Sequence, residues 1–440
     1  MIIAKKMRLK NIHTILFYIL IFLLPWQTIW IIKETFLNNE KWQYGTIGIY
    51  AFDGIFLFWF LCNVFLYKKK IYSYIITNKK ISILALLLCI WTLFSLSWSD
   101  NFEVGLYFWF KLTMCLCIFF LTQIQSYSLR HISKIFLVSM LFHSILGLYQ
   151  FCTQNTFAYT LLGLQNHDVW HGSTATITTH AERWLRVYGG FPHPNIFGSF
   201  VIIALICNIY THLATKKCSQ KYHVFSYFVT ALFMINLIFT FSRTAWVSGC
   251  ITIILLSTIV FCKEKYTNKR KMSMHIIIMF CISIFCFITF LPIFSTRVHH
   301  TTPTHNSISD RKTYLIHAHH IVTHHTLTGV GVGNYTNTVA KTYNNIHPIW
   351  YYQPVHQSAL LIFAEIGLIG SIFLWLFIFY ACKNIFSYTQ KYSLEKTVLA
   401  TILCMFLLSS LFDHWLWTSH SGLIGFFVFC GLLAYQKTPA

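Results

Sequence analysis

Residues 191–210 read FPHPNIFGSFVIIALICNIY. A polar entry broken by two prolines gives way at Ile196 to a run without a single Asp, Glu, Lys or Arg. About 20 apolar residues in α-helix cross a hydrocarbon core of about 30 Å. Lipid offers no hydrogen bonds, so a spanning segment must satisfy its own backbone, which a helix does. The stretch therefore predicts a membrane-spanning helix entered through a polar turn.

Similar runs fall near residues 14–32, 47–66, 81–98, 104–121, 132–151, 224–242, 245–262, 275–294, 356–381, 397–413 and 416–435. Together they predict an all-α membrane protein of about twelve transmembrane helices. Residues 1–440 read as a single polytopic membrane domain. Composition agrees. The chain is 56% hydrophobic and only 10% charged, with a mean hydropathy of +0.58. A water-facing surface on a chain this long needs roughly a quarter charged residues. The first run follows Lys5, Lys6, Arg8 and Lys10, lacks a small-residue cleavage site, and reads as a retained helix.

The net charge of +21 raises the question of nucleic acid. Position argues against it, because the cations sit in short clusters between apolar runs and form no stripe. Alternate loops hold most of them: 23 of the 33 basic residues fall in one set, including Lys68–Lys70, Arg130, Lys134, Lys216, Lys217, Lys221, Lys263–Lys271, Lys383, Lys391, Lys396 and Lys437. By the positive-inside rule that set, and both termini, face the cytoplasm. The opposite face then receives two long loops, about 152–190 and 295–355, the second between helices 9 and 10. Within it Tyr314 to Val322 has apolar residues at helical spacing and predicts a surface helix. The cysteines mostly lie inside apolar runs, as small hydrophobes, so no disulfide framework is expected.

The same topology sends several polar groups to the loop-bearing face. Arg186 precedes Gly189, Gly190 and the turn ending at Asn195; Arg243 sits between two helices in Phe241-Ser-Arg-Thr; Arg311 opens the surface helix; His356 starts the tenth span. The sixth, eighth and tenth helices all begin there, and helix N-termini carry partial positive charge suited to phosphate. Arginine forks match phosphate oxygens as well. The combination reads as a pyrophosphate cradle, with no carboxylate cluster in the sequence to hold a metal. Each residue alone could be an interfacial anchor or an ordinary exposed histidine. Their joint occurrence on one face is the stronger signal.

Other polar features carry less. The loop histidines (His299, His300, His305, His317, His319, His320, His324 and His325) have no cysteine or acid beside them to complete a metal site and read as solvated. Gly329-Val-Gly331-Val-Gly333 follows no strand and reads as a tight turn, not as a nucleotide loop. Lys111 falls mid-helix, where a charge costs roughly 2.5–3.5 kcal/mol and needs a partner; Glu365 is the carboxylate proposed for it. Asp413 and His414 end the eleventh span and could line a cavity.

Read in order, these segments resemble a family. Arg186-Val-Tyr-Gly-Gly-Phe-Pro-His-Pro-Asn195, Phe241-Ser-Arg243, Asp310-Arg311 through Gly329-Val-Gly-Val-Gly-Asn-Tyr335, and His356-Gln-Ser to Glu365-Ile-Gly-Leu-Ile-Gly370 are similar to motifs of the bacterial O-antigen ligases and polymerases. Two departures stand out: Thr326 where the family usually has proline, and Gln357 where asparagine is common. The resemblance implies transfer of a glycan from undecaprenyl pyrophosphate to a hydroxyl on an acceptor glycolipid or protein. It implies the periplasmic side of the bacterial inner membrane, and neither metal nor nucleotide cofactor. It also implies roles. Arg243 and Arg311 would meet the pyrophosphate charge and His356 would be the base. Arg186 would bind the lipid pyrophosphate, and Asn195, Glu365 and Lys111 stand with it as substrate-binding candidates.

The acceptor separates ligase, polymerase and protein O-oligosaccharyltransferase, and the sequence does not choose among them. A transporter or lipid flippase is the rival of another class. It would need charges along a path through the bundle, whereas here only Lys111, Glu365 and Asp53 lie at depth.

Overall fold

A computed structural model describes residues 2–172, 174–179, 182–216, 219–299, 307–343, 347–383 and 392–435. Lys217, Lys391, Lys437, His300 and His305 lie outside the described residues. Helix α1 (Ile2–Leu23) is followed by strands β1 (Ile29–Lys33), β2 (Phe36–Leu37), β3 (Glu40–Lys41) and β4 (Ile47–Tyr50). Helices α2 (Ala51–Thr77), α3 (Lys79–Phe94), α4 (Phe102–Thr122) and α5 (Leu129–Thr153) come next, then β5 (Thr176–Thr178) and β6 (Arg183–Leu185). The second half holds α6 (Pro194–Ala214), α7 (Gln220–Phe239), α8 (Arg243–Lys263), α9 (Tyr266–Thr289), α10 (Leu291–His299), α11 (Ser307–His324) and α12 (Tyr335–Thr342). The chain ends with α13 (Ser358–Cys382), α14 (Leu394–Ser410), α15 (Trp415–Thr418) and α16 (His420–Ala434).

Nine of the described helices are long and apolar enough to cross a membrane: α2 to α9 and α13. The other three expected spans correspond to shorter pieces: the apolar part of α1 (Asn11–Leu23), α14 with 17 residues, and α16. The first expected span is corrected in extent. Helix ends at Leu23, and Ile29–Lys33 pairs antiparallel with Ile47–Tyr50 as a hairpin. An apolar run does not by itself distinguish strand from helix, and the β-branched Ile29, Ile31 and Ile32 favour the strand. The surface helix expected over Tyr314–Val322 is α11, longer at its N-terminal end.

Helix α6 is the centre of the bundle. Its apolar window is wholly buried, and it packs against α5, α7, α8 and α14. A helix apolar on all sides must be enclosed on all sides. Between α6 and α7 the Asn208 amide donates to Ser226 O (2.8 Å) and to Thr230 Oγ1 (2.9 Å), the polar pairing that ties helices where lipid supplies no hydrophobic drive. At the C-terminal end of α6 Lys271 Nζ donates to the carbonyls of His212 and Thr215, both at 2.9 Å. A cation at the last carbonyls meets the negative end of the helix dipole.

Helix α13 breaks at Gly367, whose φ of +65° lies in the left-handed region. The carbonyls freed there are taken by the glycine turn: Val330 N donates to Ala364 O (3.0 Å) and Gly331 N to Glu365 O (2.9 Å). In return Leu368 N donates to Thr326 O at 2.9 Å. Irregular backbone at this depth survives only when protein groups satisfy it. Gly329, at φ +68°, leaves no room for a side chain, since a Cβ would sit 2.3 Å from Glu365 O. The tight turn read from Gly329 to Gly333 is thus a plug lodged against a broken helix.

Candidate functional site

The site begins with two local turns. Between α7 and α8 the chain reverses in three residues, with Phe241 at φ +47° and Ser242 capping α8 through Oγ to Ala245 N (3.3 Å). A buried aromatic residue in the left-handed region costs on the order of 1–2 kcal/mol. The reversal leaves the Thr240 carbonyl pointing away from its helix, and Arg186 Nε donates to it at 2.7 Å. Before α6, His193 takes the capping position and its Nδ1 accepts from Asn195 N (3.2 Å). Pro194 occupies the first helical turn, where no backbone donor is lost.

A chain of hydrogen bonds follows from those turns. Arg186, only 6% exposed, donates from Nη2 to Asn195 Oδ1 at 2.8 Å. The Asn195 amide donates to Asp413 Oδ2 at 2.7 Å, and His414 N to Asp413 Oδ1 at 2.7 Å. Ser358 Oγ, opening α13, donates to the Asp413 carbonyl at 2.8 Å. The start of α6, the loop after α14 and the start of α13 are thereby held together. Arg243 begins α8 three residues beyond the Thr240 carbonyl, at the same end of the bundle.

His356 lies beside this chain. Its ring meets His414 edge-on at 5.0 Å and stacks on Tyr314 at 5.5 Å, one turn beyond Arg311 on α11. The charge of Arg311 acts on both His356 and His414. His356 Nδ1 is buried without a hydrogen-bond partner in the structure. Burial lowers its basicity below the ordinary value of 6.5, although the Asp413 carboxylate pulls the other way. Burial also takes His193 down to about 3, helped by the Arg186 charge, and His414 down to about 4. Burial pushes Asp413 up, but the imidazoles of His414, His356 and His193 and the Asn195 amide outweigh it and hold the carboxyl below its usual range. Near neutrality the cluster is one carboxylate, neutral imidazoles and arginines.

The sequence placed Asp413 and His414 at the end of the eleventh span as possible cavity-lining residues; the fold sets Asp413, just beyond α14, against Asn195 and His414. One ligand atom each from His356, Asp413 and His414 lies within 4.8 Å of the others, a donor set able to hold a small cation. Both Asp413 oxygens already accept N–H bonds, however, and His414 Nδ1 pairs with Thr418 Oγ1 at 2.8 Å.

Two of the candidate binding residues serve the fold itself. Glu365 Oε2 accepts from Gly333 N and Trp417 Nε1, both at 2.8 Å, and so fastens the glycine plug. Lys111 stands 4.0 Å from the Tyr107 ring centroid and 5.4 Å from that of Tyr50, and the carboxylate acting on it is Asp53. The Lys111–Glu365 pair suggested by the sequence is replaced by that arrangement. His193 and Asp413 were not assigned to the site from sequence. His193 stood inside a quoted motif, and Asp413 is one of only 12 acidic residues in the chain.

Residues 228–375 match the family model described as O-antigen ligase. The matched segment contains Arg243, Arg311, the glycine plug, His356 and Glu365, and leaves Arg186, Asn195, Lys111 and Asp413 outside. No curated protein matches the chain.

Proposed function

We propose that this chain, whose residues 228–375 match the O-antigen ligase family model, transfers a glycan from undecaprenyl pyrophosphate to an acceptor hydroxyl at the periplasmic face of the inner membrane. One observation carries the reading. Arg186, Asn195 and Asp413 form a partly buried hydrogen-bonded chain, His356 lies within 4.8 Å of Asp413, and the charge of Arg311 acts on His356 and His414.

The chemistry suits such a cluster. The acceptor oxygen attacks the anomeric carbon, and the bond from that carbon to the pyrophosphate oxygen breaks. The lipid pyrophosphate departs with the electron pair. Negative charge develops on the leaving group, and arginines already in position stabilise it without reorganisation in a site shielded from water. His356 receives the acceptor proton, and a neutral imidazole is the form able to do so. Asp413 stabilises the resulting imidazolium. Attack from the side opposite the leaving group inverts the anomeric centre.

The test is a reconstituted assay with a lipid-pyrophosphate glycan and candidate acceptors, which also separates ligase from polymerase. Transfer should require Arg243 and His356, with the alanine variants still present in the membrane. Linkage analysis of substrate and product should report inversion. Wild-type transfer by both variants would remove the site assignment.

A further inference from the structure

The loop between α5 and α6 contains a concavity that the transfer chemistry does not use. A polar pocket with an accessible volume of about 340 Å³ is lined by Gln154, Asn155, Asn166, His167, Asp168, Val169 and Trp170. The Trp170 side chain is 74% exposed, which is unusual for the largest apolar surface a side chain can offer. Arg183 lies over its ring at 5.8 Å.

The amides around it are held in a defined orientation. Thr156, buried beneath the pocket, donates from its backbone N to Asn155 Oδ1 (2.8 Å) and from Oγ1 to Asn166 Oδ1 (3.0 Å). Both oxygens are thereby occupied, and among the described residues neither amide nitrogen has an acceptor. Asp168 uses Oδ1 to fix Trp170 through the latter's backbone N (2.9 Å). The pocket thus offers two amide groups, a carboxylate and an exposed indole that Arg183 covers on one side.

We propose that this pocket is a saccharide subsite that holds a sugar of the transferred glycan or of its acceptor. Pyranose rings present an apolar C–H face that covers an indole, and adjacent hydroxyls that both donate and accept. Amide donors beside a carboxylate acceptor match such hydroxyl pairs, whereas Asp168 opposes a phosphate in the same place. The pocket adjoins the strand that leads into the transfer site. Gln154 accepts from Leu185 N at 2.6 Å, one residue before Arg186, and His167 stacks on Tyr188 at 3.8 Å. This assignment rests on the proposed glycan transfer, with a separate readout.

Two measurements on the full-length protein in lipid nanodiscs test it. The probe for the first is the water-soluble oligosaccharide released by mild acid from the host's own lipid pyrophosphate, observed by saturation-transfer NMR. Wild type should transfer saturation to sugar ring protons, and Trp170→Ala and Asn166→Asp should abolish or sharply reduce it. The second is steady-state transfer. Trp170→Ala should raise KM by about tenfold with kcat unchanged. A rise for the donor places the donor glycan in the pocket, and a rise for the acceptor places the acceptor there. No saturation transfer with wild type, or wild-type signals and both KM values in the two variants, would overturn the subsite. Failure of wild type to transfer any lipid-linked glycan, with saturation transfer intact, would instead overturn the transferase reading.

Discussion

Histidines gather at both ends of α6, and the two groups differ in how completely they satisfy one another. At the C-terminal end His212 Nδ1 pairs with His275 Nε2 (2.9 Å), His212 Nε2 with His223 Nδ1 (2.7 Å), and His275 Nδ1 with Thr230 Oγ1 (2.8 Å). Every ring nitrogen of His212 and His275 is occupied, and among the described residues no carboxylate enters the group. At the N-terminal end His193, His356 and His414 surround Asp413, arginines stand near, and His356 Nδ1 has no partner. A self-satisfied buried network rigidifies a fold, whereas a ring nitrogen without a partner is free to take a proton. On the proposed reading, the same residue type is structural at one end and chemical at the other.

The difference can be broken by substitution. His356→Ala should lower kcat in the reconstituted assay by about 10²–10⁴-fold, the range for a lost general base. A decrease under tenfold would mean that another group takes the proton. Arg311→Ala should cost about 10²–10³-fold in kcat, as for removal of one donor to a developing anion; a pure rise in KM would assign it to ground-state binding. At the other end His212→Ala should leave kcat within about twofold yet destabilise the protein by about 1–3 kcal/mol by stranding buried partners. Its signature is a lower Tm in detergent. Loss of turnover in folded His212→Ala would erase the distinction between the ends.

The smallest effect is the most diagnostic. His356 titrates below 6.5, so transfer should be constant near neutrality and decline only on acidification, as the imidazole is protonated. The Asp413 carboxylate raises the basicity of His356, so Asp413→Asn should move the acid limb of kcat/KM to lower pH by about one unit. An unmoved limb would show that Asp413 does not act on the titrating group.

Much of this protein was legible without coordinates. Apolar runs of spanning length and the spacing of Arg186, Arg243, Arg311 and His356 come directly from the chain, because lipid imposes its length requirement on each segment separately. The surface helix near Tyr314 was visible through its period. Contacts between distant segments were not. Asp413 joins the site through Asn195, 218 positions away in sequence, and nothing local announces such a pairing. The role of Glu365 was hidden for the same reason: its partners, Gly333 and Trp417, come from other elements, and only the break at Gly367 creates the groove into which the plug folds.

Hydrophobicity along one dimension therefore determined that the chain spans a membrane and which polar residues escape the apolar runs. Tertiary packing alone decided which of those residues meet, because hydrogen bonds between helices depend on rotation and depth in the bundle and on where a helix breaks. The sequence supplies the groups; burial among particular neighbours sets one histidine beside a carboxylate and makes another a strut.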